Sequence, residues 1–167
     1  MKKVVIVVAI VVCCILAVCV KLFGDMQGDQ RLEYAIESVI DSEIVQGDDV
    51  PPYLAYMNAV RLAVSYDIQS NDKKGTAVVS FTYVDVMGLA QSVLPANEEV
   101  DAFYQKAIDQ IQSGSAPMKS ETIEVTYHVG EEKEYILDVT PALANVLTGG
   151  AFEVIQGLVE GEMENDS

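Results

Sequence analysis

Few side chains in this sequence are of the types that enzymes use for acid–base or nucleophilic chemistry. The only histidine, His128, falls in the polar phase of an alternating strand pattern, which predicts an exposed imidazole. A Ser-His-Asp site would have to use His128, and the sequence contains neither a Gly-x-Ser-x-Gly elbow nor a glycine-rich phosphate loop. We therefore expect a protein without catalytic activity and without a cofactor.

The sequence contains eight tyrosines, whose phenol groups are candidates for binding a ligand. Four tyrosines fall on the predicted inward faces of strands, and Tyr104 falls on the apolar face of a predicted helix. Several phenols at one sheet–helix interface favour either a partly open ligand pocket or a packed core whose hydroxyls reach water at the rim. Asp85, in phase with Tyr83, is the only carboxylate near this group. The candidate ligand-binding residues are Tyr66, Tyr83, Asp85, Tyr104 and Tyr127.

Acidic clusters at residues 48–49 and 131–134 raise the question of a metal site. Carboxylate oxygens bind calcium, but neither cluster has the alternating spacing with which one loop wraps the ion. We interpret both clusters as solvated turns and predict no metal site. The three cysteines supply no ligand to the polar part of the chain, because all of them lie in one apolar run near the N-terminus.

That apolar run extends from Val4 to Val20 without interruption, and Leu22 and Phe23 continue it past a single lysine. As a helix, residues 4–23 would reach about 30 Å, which is the thickness of the hydrocarbon core of a bilayer. Lysines precede the run and aspartates follow it, so the positive-inside rule places everything after it outside the cytoplasm. The sequence thus predicts a single-pass protein of the cell membrane that contacts the bilayer through residues 4–23.

Three fates of residues 1–23 stay open. Their length and flanking charges favour a retained signal-anchor. The run Leu16-Ala17-Val18-Cys19 resembles the lipobox of bacterial lipoproteins, which makes Cys19 a candidate lipidation site, although Val18 departs from the small residue of that motif. Cleavage as an ordinary secretory signal is the third alternative, although no small-x-small site follows the run.

The chain beyond residue 23 is strongly acidic. It contains seven basic and 26 acidic residues, a formal net charge of -19, against -16 for the whole chain. This charge should repel nucleic acids, anionic lipid headgroups and anionic wall polymers. Cationic peptides, basic protein surfaces and divalent ions are the partners that it would attract.

Hydrophobic periodicity predicts one α+β domain over residues 31–160, between a tether at 24–30 and an acidic tail at 161–167. Helical spacing predicts helices over 31–44, 53–60 and 97–112, with Asn97 as a cap, and a further helix after Thr140-Pro141 that Gly149-Gly150 interrupts. Strand alternation predicts two hairpins, 62–68 with 76–86 and 123–129 with 135–139. The helix over 97–112 is expected to cover the sheet.

The predicted order of elements, with a mainly antiparallel sheet of about four strands covered by helices, resembles the cystatin-like or nuclear transport factor two-like superfamily. With its apolar leader and the terminal run Leu147-Thr148-Gly149-Gly150, the chain also resembles uncharacterised membrane-anchored surface proteins of Gram-positive bacteria. The resemblance implies helices packed in the concave face of a curved sheet and, in ligand-binding members, a pocket between them.

We therefore expect a membrane-tethered extracytoplasmic domain that binds a protein, peptide or small-ligand partner. Two alternatives are an enzyme with a tyrosine-lined pocket and Asp85, and a structural subunit of a membrane assembly.

Overall fold

The computed structural model describes residues 28–42, 44–47, 49–93 and 100–156. The strands are β1 (Ser65–Asn71), β2 (Thr76–Val84), β3 (Met118–Val129) and β4 (Tyr135–Leu137). The helices are α1 (residues 28–41), α2 (Pro52–Leu62), α3 (Val86–Val93), α4 (Val100–Gln112), α5 (Pro141–Leu147) and α6 (residues 151–156). The strands form one antiparallel sheet in the order β1-β2-β3-β4, which confirms the predicted α+β class and four-stranded sheet.

Helices α1 and α5 cover one face of the sheet, and the apolar residues between them form what we call the sheet core. In α1, Leu32, Ile36 and Ile40 recur at the spacing of one helix face and are buried, as predicted. Strand β2 alternates half-buried and buried residues, so that every second side chain enters this core. The buried members of the sheet core are Leu32, Ala35, Ile36, Ile40, Ala77, Val79, Phe81, Tyr83, Ile123, Val125, Tyr127, Leu137, Leu143, Val146 and Leu147.

The opposite face of the sheet presents hydroxyl side chains. Ser80 and Thr122 face each other across β2 and β3 with 2.7 Å between their hydroxyl oxygens, and Thr82 and Ser120 do so at 2.9 Å. Such cross-strand pairs stabilise the register of two antiparallel strands. This face is polar and at least partly exposed to water.

Helices α2, α3 and α4 form a second core, the helix core. Its buried members are Tyr56, Val60, Val84, Leu89, Val93, Ala107 and Ala116. The prediction that the helix over 97–112 covers the sheet is wrong, because α4 packs against α2 and α3 instead. The face of the sheet that it would need is occupied by α1 and α5.

Several predicted strand boundaries differ from the structure, and in two of them a helix contains the residues predicted as strand. Leu62 completes α2 and does not start a strand, so β1 begins only at Ser65. The strand predicted over 76–86 ends at Val84, because Asp85 turns the chain into α3, a helix that the sequence pattern did not reveal. A short apolar run of this kind has no periodicity that separates strand from helix.

Helix α5 begins and ends at the residues that its local chemistry predicts. The Thr140 side chain accepts a hydrogen bond from the backbone N–H of Leu143 at 3.3 Å, and Pro141 is the first helical residue of α5. Gly149 and Gly150 adopt φ values of 65° and 85° and separate α5 from α6. The Gly149 carbonyl accepts a hydrogen bond from the backbone N–H of Val86 at 3.0 Å, which joins this turn to the start of α3.

Several predictions concern residues outside the described part of the chain: the apolar leader with Cys19, the tether up to residue 27, the Asn97 cap and the acidic tail. Residues 28–30, from the predicted tether, are helical and belong to α1. Within the described ranges, none of the helices combines the length and apolarity that a bilayer crossing requires.

We expect Gly149→Ala to lower the free energy of unfolding by about 2–3 kcal/mol. A Cβ at this position would lie 2.5 Å from Cγ2 of Val86 and 2.7 Å from the carbonyl oxygen of Val84, in addition to the strain of a positive φ. Gly150→Ala is the matched control, since a Cβ there meets nothing within 4 Å and only the strain of about 1 kcal/mol remains. Equilibrium urea unfolding of the full-length chain measures both, and equal losses would contradict the proposed close contact.

Candidate functional site

Three of the five candidate ligand-binding residues lie in or against the sheet core. Tyr83 and Tyr127 are buried, and Tyr66 is half-buried beside them. Their hydroxyls donate to protein acceptors: Tyr66 to Oε1 of Glu37 at 3.3 Å, Tyr83 to Oε2 of Glu121 at 3.1 Å, and Tyr127 to Oδ1 of Asn71. Burial is the largest cause that raises the pKa of each of the three phenols to about 12. Each therefore stays protonated near neutral pH and acts as a hydrogen-bond donor.

Tyr104 lies apart from these three, in the helix core. Its ring centroid is 5.6 Å from that of Tyr56 and 5.4 Å from that of Phe103. Tyr56 is only 6% exposed, and its hydroxyl has no hydrogen-bond partner in the described part of the chain. Burial, and then the neighbouring Tyr104, raise the pKa of Tyr56 to about 12. The aromatic cluster thus contributes packing between α2 and α4 and keeps one hydroxyl away from water.

Asp85 is the N-terminal cap of α3. Its carboxylate accepts hydrogen bonds from the backbone N–H groups of Gly88 and Met87, and Nζ of Lys119 lies 3.2 Å from Oδ1. Gly88 allows this approach, since a Cβ there would lie 2.7 Å from Oδ2. Burial raises the pKa of Asp85, but the hydrogen bonds and the Lys119 charge outweigh burial and lower it below its usual value. A general acid at neutral pH needs the opposite shift.

His128 is exposed on the outer face of β3, as the sequence predicts. Its Nδ1 lies 3.2 Å from Oδ1 of Asp138, and both side chains are more than half exposed to water. Ion pairs in such surroundings contribute little to stability. The pair therefore lies in solvent, outside both hydrophobic cores.

The acidic turn between β3 and β4 lies beside the start of α1. Residues from both segments line a polar pocket of about 360 Å³: Gln30, Arg31, Tyr34, Glu132, Lys133, Glu134 and Tyr135. Among the described residues there is no group of three or more His, Cys, Asp or Glu side chains placed to hold a metal ion. The other predicted acidic turn includes Asp48, which lies outside the described residues.

The most apolar of these surfaces is a groove of about 430 Å³ between α2 and α4, which we call the α2–α4 groove. It is lined by Val50, Ala55, Asn58, Ala59, Leu62, Ala63, Ile108, Ile111 and Gln112. None of these side chains is charged, and all but Asn58 and Gln112 are apolar. Leu62 remains 63% exposed to water. Ligand pockets have this composition and this range of volume.

One wall of the α2–α4 groove is held by a double hydrogen bond. The backbone N–H of Val45 donates to Oδ1 of Asn58 at 3.2 Å, and Nδ2 of Asn58 donates to the carbonyl oxygen of Val45 at 2.8 Å. The side-chain amide of Asn58 therefore pairs with both the N–H and the carbonyl group of Val45, as the backbone of a neighbouring β-strand residue would. This pairing ties the segment before α2 to the helix, and the groove wall is formed before any partner binds.

Sequence reasoning predicted most of the helical residues that carry the groove but not the groove itself. It placed Leu62 in a strand, and Ile108 on a helix face turned toward the sheet. The one signal that could have found the groove is the four-residue repeat Ala55, Ala59 and Ala63. Short side chains at this spacing leave one face of a helix open to close approach.

We expect Asp85→Ala to lower the free energy of unfolding by about 1 kcal/mol at neutral pH, because α3 loses its cap. Since folding lowers the pKa of Asp85, its contribution is complete above the unfolded pKa of about 3.9 and is lost as pH falls below it. The difference between wild type and Asp85→Ala should therefore shrink below about pH 4. Urea unfolding across pH measures this, with exposed Glu131→Ala as the control. A difference independent of pH would contradict the role of the charged carboxylate.

Three comparisons bear on how this arrangement relates to known proteins. The chain matches no protein-family model, no curated protein sequence and no solved structure. Inference about function therefore rests on the sequence and on the described residues. Among them Tyr66, Tyr83, Tyr127 and Asp85 already have hydrogen-bond partners, and the α2–α4 groove is the more apolar of the two pockets described above.

Proposed function

We propose that this protein is a membrane-tethered, extracytoplasmic binding domain without catalytic activity, and that it binds through the α2–α4 groove. The observation that carries this proposal is an uncharged groove of about 430 Å³ with a leucine, Leu62, 63% exposed at its side. Burial of apolar surface by a partner stabilises the complex by about 25 cal/mol for each Å² removed from water. A preformed groove of this kind supports binding of an apolar group more directly than it supports chemistry.

The tether and the fold family belong to the same proposal. Residues 4–23 support the tether through their length, apolarity and flanking charges. The likeness to cystatin-like domains is supported by α1, which packs across one face of an antiparallel sheet. Helices α3 and α4 lie in the connection between β2 and β3 and depart from the simplest order of that superfamily. The groove involves these additional helices, because α4 forms one of its two walls.

An enzyme built on the phenols and Asp85 has less support from the same residues. The hydroxyls of Tyr66, Tyr83 and Tyr127 donate to side-chain acceptors, and Tyr104 lies in the other core. Asp85 has a lowered pKa and caps α3. Each of these groups has a partner within the fold, whereas the exposed side chain of Leu62 leaves apolar surface at the groove open to a ligand.

We expect an apolar diazirine photoprobe to label α2 and α4 of the full-length chain in phosphatidylcholine nanodiscs. Leu62→Ser should reduce this labelling about fivefold, because loss of roughly 1 kcal/mol of apolar burial weakens binding by that factor. Val139→Ser is the matched control, since Val139 is 64% exposed and lies outside the groove. Mass spectrometry of the labelled peptides locates the probe.

The proposed binding surface would be wrong if α2 and α4 were labelled no more than the segment around Val139, or if the two variants had the same effect. Far-UV circular dichroism should show both variants folded, because both replaced side chains are mostly exposed. A folded Leu62→Ser with unchanged labelling therefore counts against the proposal.

The proposed topology predicts that Lys74→Cys reacts with a membrane-impermeant maleimide in intact spheroplasts. Lys74 lies in the exposed turn between β1 and β2, and the native cysteines all lie within the apolar leader. The unsubstituted chain is the control for reaction at those cysteines. Labelling of Lys74→Cys only after lysis would place the domain in the cytoplasm and contradict the proposal.

A further inference from the structure

The dimensions of the α2–α4 groove match the spacing of side chains on one face of a helix. Its lining extends from Ala55 to Ala63 along α2, about 12 Å at the rise of a helix, and from Ile108 to Gln112 along α4, about 6 Å. Residues i and i+4 of a helix are about 6 Å apart along its axis, and i and i+7 about 10.5 Å. The groove therefore has the length for two or three apolar anchors of one amphipathic helix.

Two aspartates adjoin residues of the uncharged lining in the sequence. Asp49 directly precedes Val50 of the groove, Asp109 directly follows Ile108, and both aspartates are exposed. The basic residues of the two helices, Arg61 and Lys106, are engaged within the protein. The chain beyond residue 23 carries a formal net charge of -19, so the field around the groove attracts cations at long range.

We propose that the occupant of the α2–α4 groove is a basic amphipathic helix of a partner protein, an inference that rests on the proposed function. Its apolar residues enter the groove, and lysine or arginine residues on its flanks face Asp49 and Asp109. Apolar contact supplies most of the affinity, and the opposite charges raise the rate of association and exclude acidic partners. A second copy of this chain is disfavoured by like-charge repulsion, as is an anionic lipid.

Two synthetic peptides of 14 residues test this chemistry. Both have leucines at positions 3, 7 and 10; one carries lysines at the other positions that flank the leucine face, and the second carries glutamates there. Fluorescence anisotropy measures their binding to the full-length chain in phosphatidylcholine nanodiscs, with empty nanodiscs subtracted. We expect the lysine peptide to bind at least tenfold more tightly than the glutamate peptide, and less tightly as salt rises.

Variants separate groove binding from attraction by net charge. Leu62→Ser should weaken binding of the lysine peptide about fivefold, whereas Val139→Ser should leave it unchanged. The double variant Asp49→Asn and Asp109→Asn should weaken binding and flatten its salt dependence. Glu124→Gln and Glu131→Gln together change the net charge equally at exposed positions outside the groove lining, so this pair should have a smaller effect.

Equal binding of the two peptides would overturn the inference, as would equal effects of the two neutralised pairs or no loss with Leu62→Ser. These outcomes are distinguishable from failure of the proposed function. If the photoprobe still labels α2 and α4 but the lysine peptide does not bind, the groove binds apolar ligands of another class and only the inference is wrong. If neither binds, the proposed function is wrong as well.

Discussion

Strand β2 supplies side chains to both hydrophobic cores, and this sharing constrains where the helices pack. Alternate residues of the strand face the sheet core, but Val84, its last residue, is buried in the helix core. The backbone N–H of Asp85 donates to the carbonyl oxygen of Pro117 at 2.8 Å, and that of Val86 donates to Gly149 at 3.0 Å. The end of β2, the start of α3 and the turn after α5 are thus joined at one place. Moving any of them would leave backbone groups unpaired next to buried apolar residues.

The groove follows from how the helices divide the apolar surface of the sheet. Helices α1 and α5 occupy its one apolar face, so α2 and α4 bury their aromatic and aliphatic residues against each other and against α3. On one side of the contact between α2 and α4, the rings of Tyr56 and Tyr104 pack against each other. On the groove side, alanines of α2 face isoleucines of α4. The groove stays open because these short side chains do not fill the space between the two helices. Leu62 consequently stays 63% exposed, although it lines this apolar groove.

The side chains that could take part in chemistry have structural roles in this fold. Apolar residues form the candidate site instead. The phenols of the sheet core donate to acceptors at its margin, and Asp85 holds the start of α3. The acidic charge is spread over the exposed surface, while the groove lining is uncharged. This arrangement separates two physical roles: long-range electrostatics selects the sign of a partner, and short-range burial of apolar groups holds it.

By itself the sequence determined the α+β class, most helices and strands, the Thr140 cap and the glycine turn after α5, because periodicity and turn chemistry act over a few residues. It did not determine which apolar face meets which. The apolar stripe of α4 is the same whether the helix packs on a sheet or on α2, so its position, and that of Tyr104, depended on the tertiary structure. The tertiary structure also decided that the run after Val84 is a helix capped by Asp85. The groove forms between α2 and α4, which pack against each other while α1 and α5 cover the apolar face of the sheet. No local sequence pattern encodes this arrangement of helices.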